Sequence, residues 1–163
     1  MESVHAKIIK NNNNLINKKE LFEHCKNMLL QRIADGEKAM LDAQEAANSE
    51  EKSSMGDKYE TGRAMSQLAR DMSAKQVFEN KQELGFLLKL ENIITTKTIV
   101  QGSIILANDK IFYIAVGLGV INLNETNVTV LSPKAPLAQL MLGKKAKDQF
   151  ELNKKAFFIE DIL

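Results

Sequence analysis

No proline occurs between Lys18 and Asn92, and that absence constrains the chain more than any other feature. A proline inside a helix removes a hydrogen bond and clashes with the preceding turn. A long run without one can stay helical throughout. Within it, Leu29, Ile33, Gly36, Met40, Ala43 and Ala47 recur at alternating steps of four and three, which is a heptad-like seam. The spacing predicts a first helix from about Lys18 to about Ala47. Gly36 weakens it but permits close packing, and Ala39, Ala43, Ala46 and Ala47 predict a thin distal end. A second helix is expected from Asp57 or Lys58 to about Leu90. Met65, Leu68 and Met72 would continue the seam, and Val77, Leu84 and Leu88 would carry it on after a shift of phase. Methionines 28, 40, 65 and 72 are read as core filling. With "NSEEKSSMGD" as a connecting loop of roughly ten residues, the simplest arrangement is an antiparallel hairpin. Each helix would be about 45 Å long at ~1.5 Å per residue. Such a hairpin has little core and should project as a finger.

Near residue 93 the pattern changes. Five β-rich runs follow: "TIVQGSIILA" (98 to 107), "KIFYIAVG" (110 to 117), "NVTVLS" (127 to 132), "DQFEL" (148 to 152) and "AFFIEDI" (156 to 162). "LANDK" and "LNETN" supply turn residues. Between the third and fourth runs, "PLAQLMLGKK" is bracketed by proline and glycine and predicts one short helix. The expected class is α+β: a helical hairpin over 18–92 with its tip near 48–60, then a twisted antiparallel sheet carrying one helix over 93–163. Residues 1–17, with "NNNN" at 11–14, are expected to be a flexible extension.

Composition narrows the function. A net charge of +1 predicts no tight independent DNA binding. The chain has no run of about 18 apolar residues, so no membrane span is expected. The N-terminus lacks the apolar stretch of a signal peptide. The single cysteine, Cys25, excludes an internal disulfide and suits a reducing cytoplasm.

Charge is uneven along the hairpin. From Asp42 to Glu60 there are six acids and two lysines, a balance of −4, while the rest of residues 1–92 carries +3. Asp57 and Glu60 share one face if a helix begins there. Two exposed carboxylates can share Mg²⁺, which keeps waters for a partner's ligands to replace. The same two residues also form an Asp-based capping box at the positive end of the helix dipole, and neither reading excludes the other. His24 and Cys25 are adjacent on a helix and point apart, so they make neither a zinc site nor a nucleophilic pair. "GLG" at 117–119 lacks the rest of a dinucleotide fingerprint and is read as a turn or bulge. Met55 is an apolar residue in the tip loop. Lys144, Lys145 and Lys147 suit a solvated helix end. Arg63, Arg70 and Lys75 are the candidates to face an RNA backbone, against a plain solvated stem.

Two separated segments resemble the bacterial Gre transcript cleavage factors. The family's hairpin tip reads roughly G-D-x-x-E-N-A-E-Y, and "GDKYE" reproduces Gly56, Asp57 and Glu60 in register. The family also has S-P-L-A-x-x-hydrophobic-L-G-K, which "PLAQLMLGK" matches from Pro136 to Lys144, with Ala135 in place of the serine. The resemblance implies an antiparallel coiled coil followed by an FKBP-like domain. It also implies a mechanism. The globular domain, with Pro136, Leu137, Leu140 and Lys144 as docking candidates, binds at the rim of the RNA polymerase secondary channel. The coiled coil enters, and Asp57 and Glu60 help hold a second Mg²⁺ near the 3′ end of a backtracked transcript. The polymerase performs the cleavage, so the factor is not itself an enzyme. Its two acids should bind Mg²⁺ weakly alone. The sequence departs from the family after Glu60, where Thr61-Gly62-Arg63-Ala64 replaces N-A-E-Y. Leu68 stands where the family has an arginine, with Arg70 two positions on, and "PKA" lengthens the loop before Pro136. Two alternatives are a channel-binding regulator that does not promote cleavage, and an FKBP-like chaperone or prolyl isomerase. The latter would need an aromatic pocket. Phe112, Tyr113, Phe150, Phe157 and Phe158 sit mostly at strand positions that core packing claims.

Overall fold

The computed structural model describes residues 8–11, 14–51, 56–94 and 96–163, with the backbone alone at 8–11, 14, 15, 50, 51 and 56–59. The elements in order are β1 (Ile8–Asn11), β2 (Asn14–Asn17), α1 (Lys18–Glu51), α2 (Gly56–Lys89), β3 (Ile104–Ala107), β4 (Lys110–Ile114), β5 (Gly119–Leu123), β6 (Thr126–Leu131), α3 (Pro136–Met141), β7 (Gln149–Leu152) and β8 (Lys155–Ile162). This is an α+β chain: two long helices, then a six-stranded mixed sheet with one short helix. It divides into two compact units, residues 27–84 and the remainder. No described helix is long and apolar enough to cross a membrane.

The sheet has strand order β5-β6-β4-β3-β8-β7. Every pairing is antiparallel except β4 with β6, which is parallel. The wholly antiparallel sheet expected from the sequence is thereby corrected. The cause is β5, which lies between β4 and β6 in the chain and was absent from the sequence reading. It adds one reversal, so β6 returns beside β4 running the same way. The first expected strand is also shorter. Gly102 takes φ +88°, a conformation that favours glycine, and only residues from Ile104 onward join the ladder. The hairpin β1–β2 is a further addition: Asn11 and Asn14 face each other across it, inside the segment read as an extension.

Three hairpins of the sheet turn on two residues with positive φ: Asn108-Asp109, Asn124-Glu125 and Asn153-Lys154. That is the mirror-image turn whose twist matches paired strands, and asparagine accepts its first position readily. Asn108 also ties its turn to the neighbouring strand. Its amide donates to the Ala156 carbonyl at 2.8 Å, and its side-chain oxygen accepts from the Phe158 N–H at 2.9 Å.

Alternation along the strands gives the sheet two buried faces. On one, Ile105, Phe112, Ile114, Phe157, Ile159 and Ile162 pack with Ala138 and Met141 of α3. Phe157 stacks on Phe150 at 5.0 Å between centroids and meets Phe112 edge-on at 6.5 Å. On the other face Ile104, Ile111, Tyr113, Val128 and Val130 are buried as well. The base of α1 belongs to this unit. Glu20 accepts a hydrogen bond from Asn124 at 2.8 Å, the Lys18 ammonium donates to the Ile93 carbonyl at 3.0 Å, and Cys25 acts electrostatically on Tyr113. Leu21, Phe22, Leu87 and Leu90 are buried in the same unit.

In the helical unit α1 and α2 run antiparallel. Glu37 pairs with Lys81 at 2.7 Å, and Gln44 accepts from Arg70 at 2.9 Å. Moving outward along one helix is moving backward along the other. The α1 seam is the expected one: Leu29, Ile33 and Ala47 are buried, and Gly36, Met40 and Ala43 half-buried. The α2 seam is the expected one only in part. Val77 is buried and Leu84 half-buried as expected, but Met65, Leu68 and Met72 are exposed, and Ser66, Arg70, Ser73 and Asn80 turn inward in their place. Leu88 is exposed too. Packing at Gly36 supplies the reason. A Cβ placed there would lie 2.6 Å from Val77 Cγ2, so Val77 fills the notch that glycine leaves. That contact fixes the rotation of α2, and steps of four and three from Val77 reach small and polar residues. Met65, Leu68 and Met72, about 120–180° from Val77 around the helix, are left outside.

Candidate functional site

Helix α1 runs past its expected end to Glu51, while α2 starts at Gly56, just before its expected start, and ends at Lys89, one residue short of its expected end. Each has 34 residues, about 51 Å at ~1.5 Å per residue. Only residues 52–55 separate them, instead of a loop of ten. Lys52, Ser53, Ser54 and the candidate tip residue Met55 lie outside the described residues.

Gly56 opens α2, which places Asp57 in its first turn and Glu60 one turn later. In a continuous helix this i, i+3 spacing puts the two on one face. The Asp57 side chain, and with it the capping reading, lies outside the described residues. Glu60 is exposed. Acids in the first turn of a helix face its unsatisfied N–H groups and its positive dipole end. Two cations of the stem are engaged elsewhere: Lys81 with Glu37, and Arg70 with Gln44 and Asp71. No group of three His, Cys, Asp or Glu side chains converges among the described residues. A hard cation takes six or more oxygen ligands. Two carboxylates therefore make a partial site, suited to an ion held also by other ligands.

The three basic candidates fare differently. Arg70 is half-buried in the seam; its guanidinium bonds Gln44 at 2.9 Å and Asp71 at 2.9 Å. Arg63, seven residues earlier, shares its side of α2 and is exposed. Lys75 is exposed, stands 3.9 Å from Glu79, and is turned about 140° from Arg70 by helix geometry.

On α3 the four docking candidates also separate. Pro136 and Leu140 are exposed one turn apart. Leu137 leans on the apolar core beside the buried Ala138 and Met141. Lys144 is half-buried, and its carbonyl accepts from the Ile99 N–H at 2.8 Å. The glycine that ends the motif, Gly143, takes φ +82°. Proline at the first helical position and glycine just past the end define this short helix as expected. Of the three lysines read as a solvated helix end, Lys145 and Lys147 are exposed, and Lys147 lies 5.7 Å above the Phe158 ring.

Cys25 is wholly buried, and burial pushes its thiol up to about 12. It is a seam residue, not a nucleophile. "GLG" is a turn: Gly119 takes φ +76° and opens β5. Phe112, Tyr113, Phe150 and Phe157 are all buried, so core packing takes the aromatic side chains that a prolyl-isomerase pocket would use. A groove along the hairpin beside Gly36, bordered by Arg32, Asp35, Gln76 and Glu79, also escaped the sequence reading. The glycine was its only signal. Comparison of the chain with protein-family models, curated proteins and solved structures finds no match.

Proposed function

We propose that this chain is a Gre-like transcription factor whose helical hairpin, an antiparallel coiled coil, enters the secondary channel of a bacterial RNA polymerase. The sheet with α3 is then an FKBP-like domain that docks at the channel rim, in the cytoplasm, through the exposed Pro136 and Leu140. Asp57 and Glu60 present two carboxylates to an Mg²⁺ ion that the polymerase active site also holds. Asp57 and Glu60 would hold the ion only in part, and Mg²⁺ bound there would contribute a water of lowered pKa and charge stabilisation for an in-line displacement. The acids of the hairpin position ion and water, and the polymerase cuts the 3′ end of the backtracked transcript.

The observation that carries this reading is the antiparallel pairing of α1 and α2, which sets Gly56, Asp57 and Glu60 immediately after the chain reversal. The segment from Pro136 to Lys144, folded as a proline-started and glycine-ended helix on the sheet, supports it independently. A second reading, regulation without cleavage, draws on Arg70, whose guanidinium is held within the hairpin by Gln44 and Asp71. Leu68, exposed, occupies the place of the family's arginine.

The deciding experiment is RNA cleavage by stalled elongation complexes of the cognate polymerase. Wild-type protein should shorten the transcript, and Asp57→Ala with Glu60→Ala should abolish the effect while leaving polymerase binding intact. Binding without shortened RNA from the wild type would favour the regulator. Absence of binding would end both readings.

A further inference from the structure

Two sets of residues on the distal half of α2 suit the same place. Ser66, Arg70, Ser73, Val77 and Asn80 follow at steps of four, three, four and three and turn toward α1. One position before the first three stand Met65, Ala69 and Met72, which repeat the steps of four and three. Met65 and Met72 are 61% and 59% exposed, and Ala69 is exposed beside them. A seam between two helices is stabilised by apolar side chains at these positions. The set that turns inward is therefore the poorer of the two, and a shift of one residue exchanges them.

The hairpin has room for that exchange. A groove of about 500 Å³ opens where Gly36 and Ala39 of α1 meet Ser73 and Gln76 of α2. These α1 side chains and that of Ser73 are too short to fill it. A methionine in the place of Ser73 has the length and flexibility to do so. Val77, seated against Gly36, anchors the helix on the near side of the groove. The distal segment can slip only if α2 takes up one extra residue between Met72 and Val77. A helix does this in a single wide turn, the π-bulge. The bond that ties Arg70 to Gln44 at 2.9 Å is lost in the slip. Exchanging one such bond for bonds to water costs little net, whereas two methionine side chains gain by leaving water.

We propose that the distal segment of α2 is a two-register switch, in which a slip of one residue toward Val77 replaces Ser66, Arg70 and Ser73 in the seam by Met65, Ala69 and Met72. The slip turns the segment by about 100° and draws it back by ~1.5 Å. The first turn of α2, with Asp57 and Glu60, is thereby presented in two orientations, and Arg70 is released from Gln44. Packed interfaces have discrete alternatives instead of a continuous range, so the change is a step between two states. It needs no partner and does not depend on the polymerase reading.

Disulfide trapping in the full chain separates the two registers, because Cys25 is wholly buried and stays out of the exchange. Gln44→Cys is combined with Arg70→Cys, its present neighbour, and in a second protein with Ala69→Cys, its neighbour after the slip. Both pairs should close under mild oxidation, with mass spectrometry of the digested protein identifying each link. Adding Met65→Gln and Met72→Gln removes the apolar set. It should slow the link between positions 44 and 69 at least tenfold and leave that between 44 and 70 within twofold. Hydrogen exchange on the chain without added cysteines is the second readout. The amides of residues 73–76, which house the extra residue, should exchange at least tenfold faster in wild type than in Met65→Gln with Met72→Gln. A link between positions 44 and 69 that fails to form, or forms as fast in the glutamine background, would overturn the switch. Equal exchange at 73–76 in the two proteins would overturn it as well. Neither readout involves polymerase, so a failed transcript-cleavage assay leaves both standing.

Discussion

Phe112 and Ile33 are both buried apolar side chains, yet they sit in different interiors. Phe112 lies among Ile105, Ile114, Phe157 and Met141, between a sheet and a helix. Ile33 sits in a seam that two helices share, where its companions are Gly36, Met40 and Ala43 on one side and Ser73, Val77 and Asn80 on the other. The sheet unit is stabilised by volume. The helical unit is stabilised by close approach of backbones at small residues, by the Glu37–Lys81 and Gln44–Arg70 contacts, and by the helices themselves. Surface ion pairs of that kind contribute little individually.

The sharpest way to test that contrast is to remove volume from each interior. Phe112→Ala should destabilise the sheet unit by about 3–5 kcal/mol, the range for losing a buried aromatic ring. Leu68→Ala on the hairpin should stay within about 0.5 kcal/mol. Urea denaturation of the two variants measures both, and comparable losses would show that Leu68 is buried after all.

Next in size is Gly36→Ala. Alanine favours helix over glycine by about 1 kcal/mol, but its Cβ would meet Val77 Cγ2 at 2.6 Å. The expected net result is a loss of about 1–2 kcal/mol through overpacking, relieved when Val77→Ala is added. A double-mutant cycle measures the coupling. A simple gain in stability from Gly36→Ala would mean that the helices do not approach closely there.

At the base of α1 the contrast becomes a matter of pH. Burial raises the Cys25 thiol to about 12, and burial followed by the neighbouring Cys25 thiolate raises the Tyr113 hydroxyl. Both groups are held neutral in the folded state, so the unfolded chain gives up these protons first. Their contribution is complete below pH 8–9 and is lost as pH climbs toward the folded values, by about 2 kcal/mol at pH 10 for the thiol alone. Lys18, lowered by desolvation, works in the opposite sense and gains slightly as pH rises. Melting temperatures from pH 8 to 10.5 should therefore fall less steeply in Cys25→Ala than in wild type. Parallel curves would contradict the burial of the thiol.

The smallest effect concerns a turn. Lys154 takes φ +63° in the β7–β8 hairpin, where glycine carries no steric penalty. Lys154→Gly should stabilise the sheet unit by about 0.5–1 kcal/mol, read as a rise in melting temperature without change in circular dichroism.

The sequence disclosed what period and punctuation encode. The α1 seam was legible because its apolar residues are the buried ones, and α3 because Pro136 and Gly143 mark its ends. The outer α2 seam was not, because Met65, Leu68 and Met72 carry a heptad-like apolar pattern while Ser66, Arg70 and Ser73 turn inward there; Val77, further in, was read correctly. No local signal says that a small residue on one helix will outrank a large one on the other; that depends on the notch at Gly36, which belongs to the partner helix. Strand β5 was hidden because "GLG" reads as a turn, and its first residue, Gly119, is part of one. The β1–β2 hairpin was masked by asparagines that suit both strand ends and linkers. The spacing of Asp57 and Glu60 was visible in the sequence, and the backbone puts both positions at the start of α2.

The most direct measurement of the central claim is the Mg²⁺ dependence of transcript cleavage by stalled complexes, with wild-type protein and with Asp57→Asn and Glu60→Gln separately. If the tip acids share the ion with the polymerase, wild-type protein should lower the Mg²⁺ concentration for half-maximal cleavage by tenfold or more relative to polymerase alone. Each substitution should return it most of the way. Equal Mg²⁺ requirements for wild type and both variants would contradict a metal-holding role for the tip.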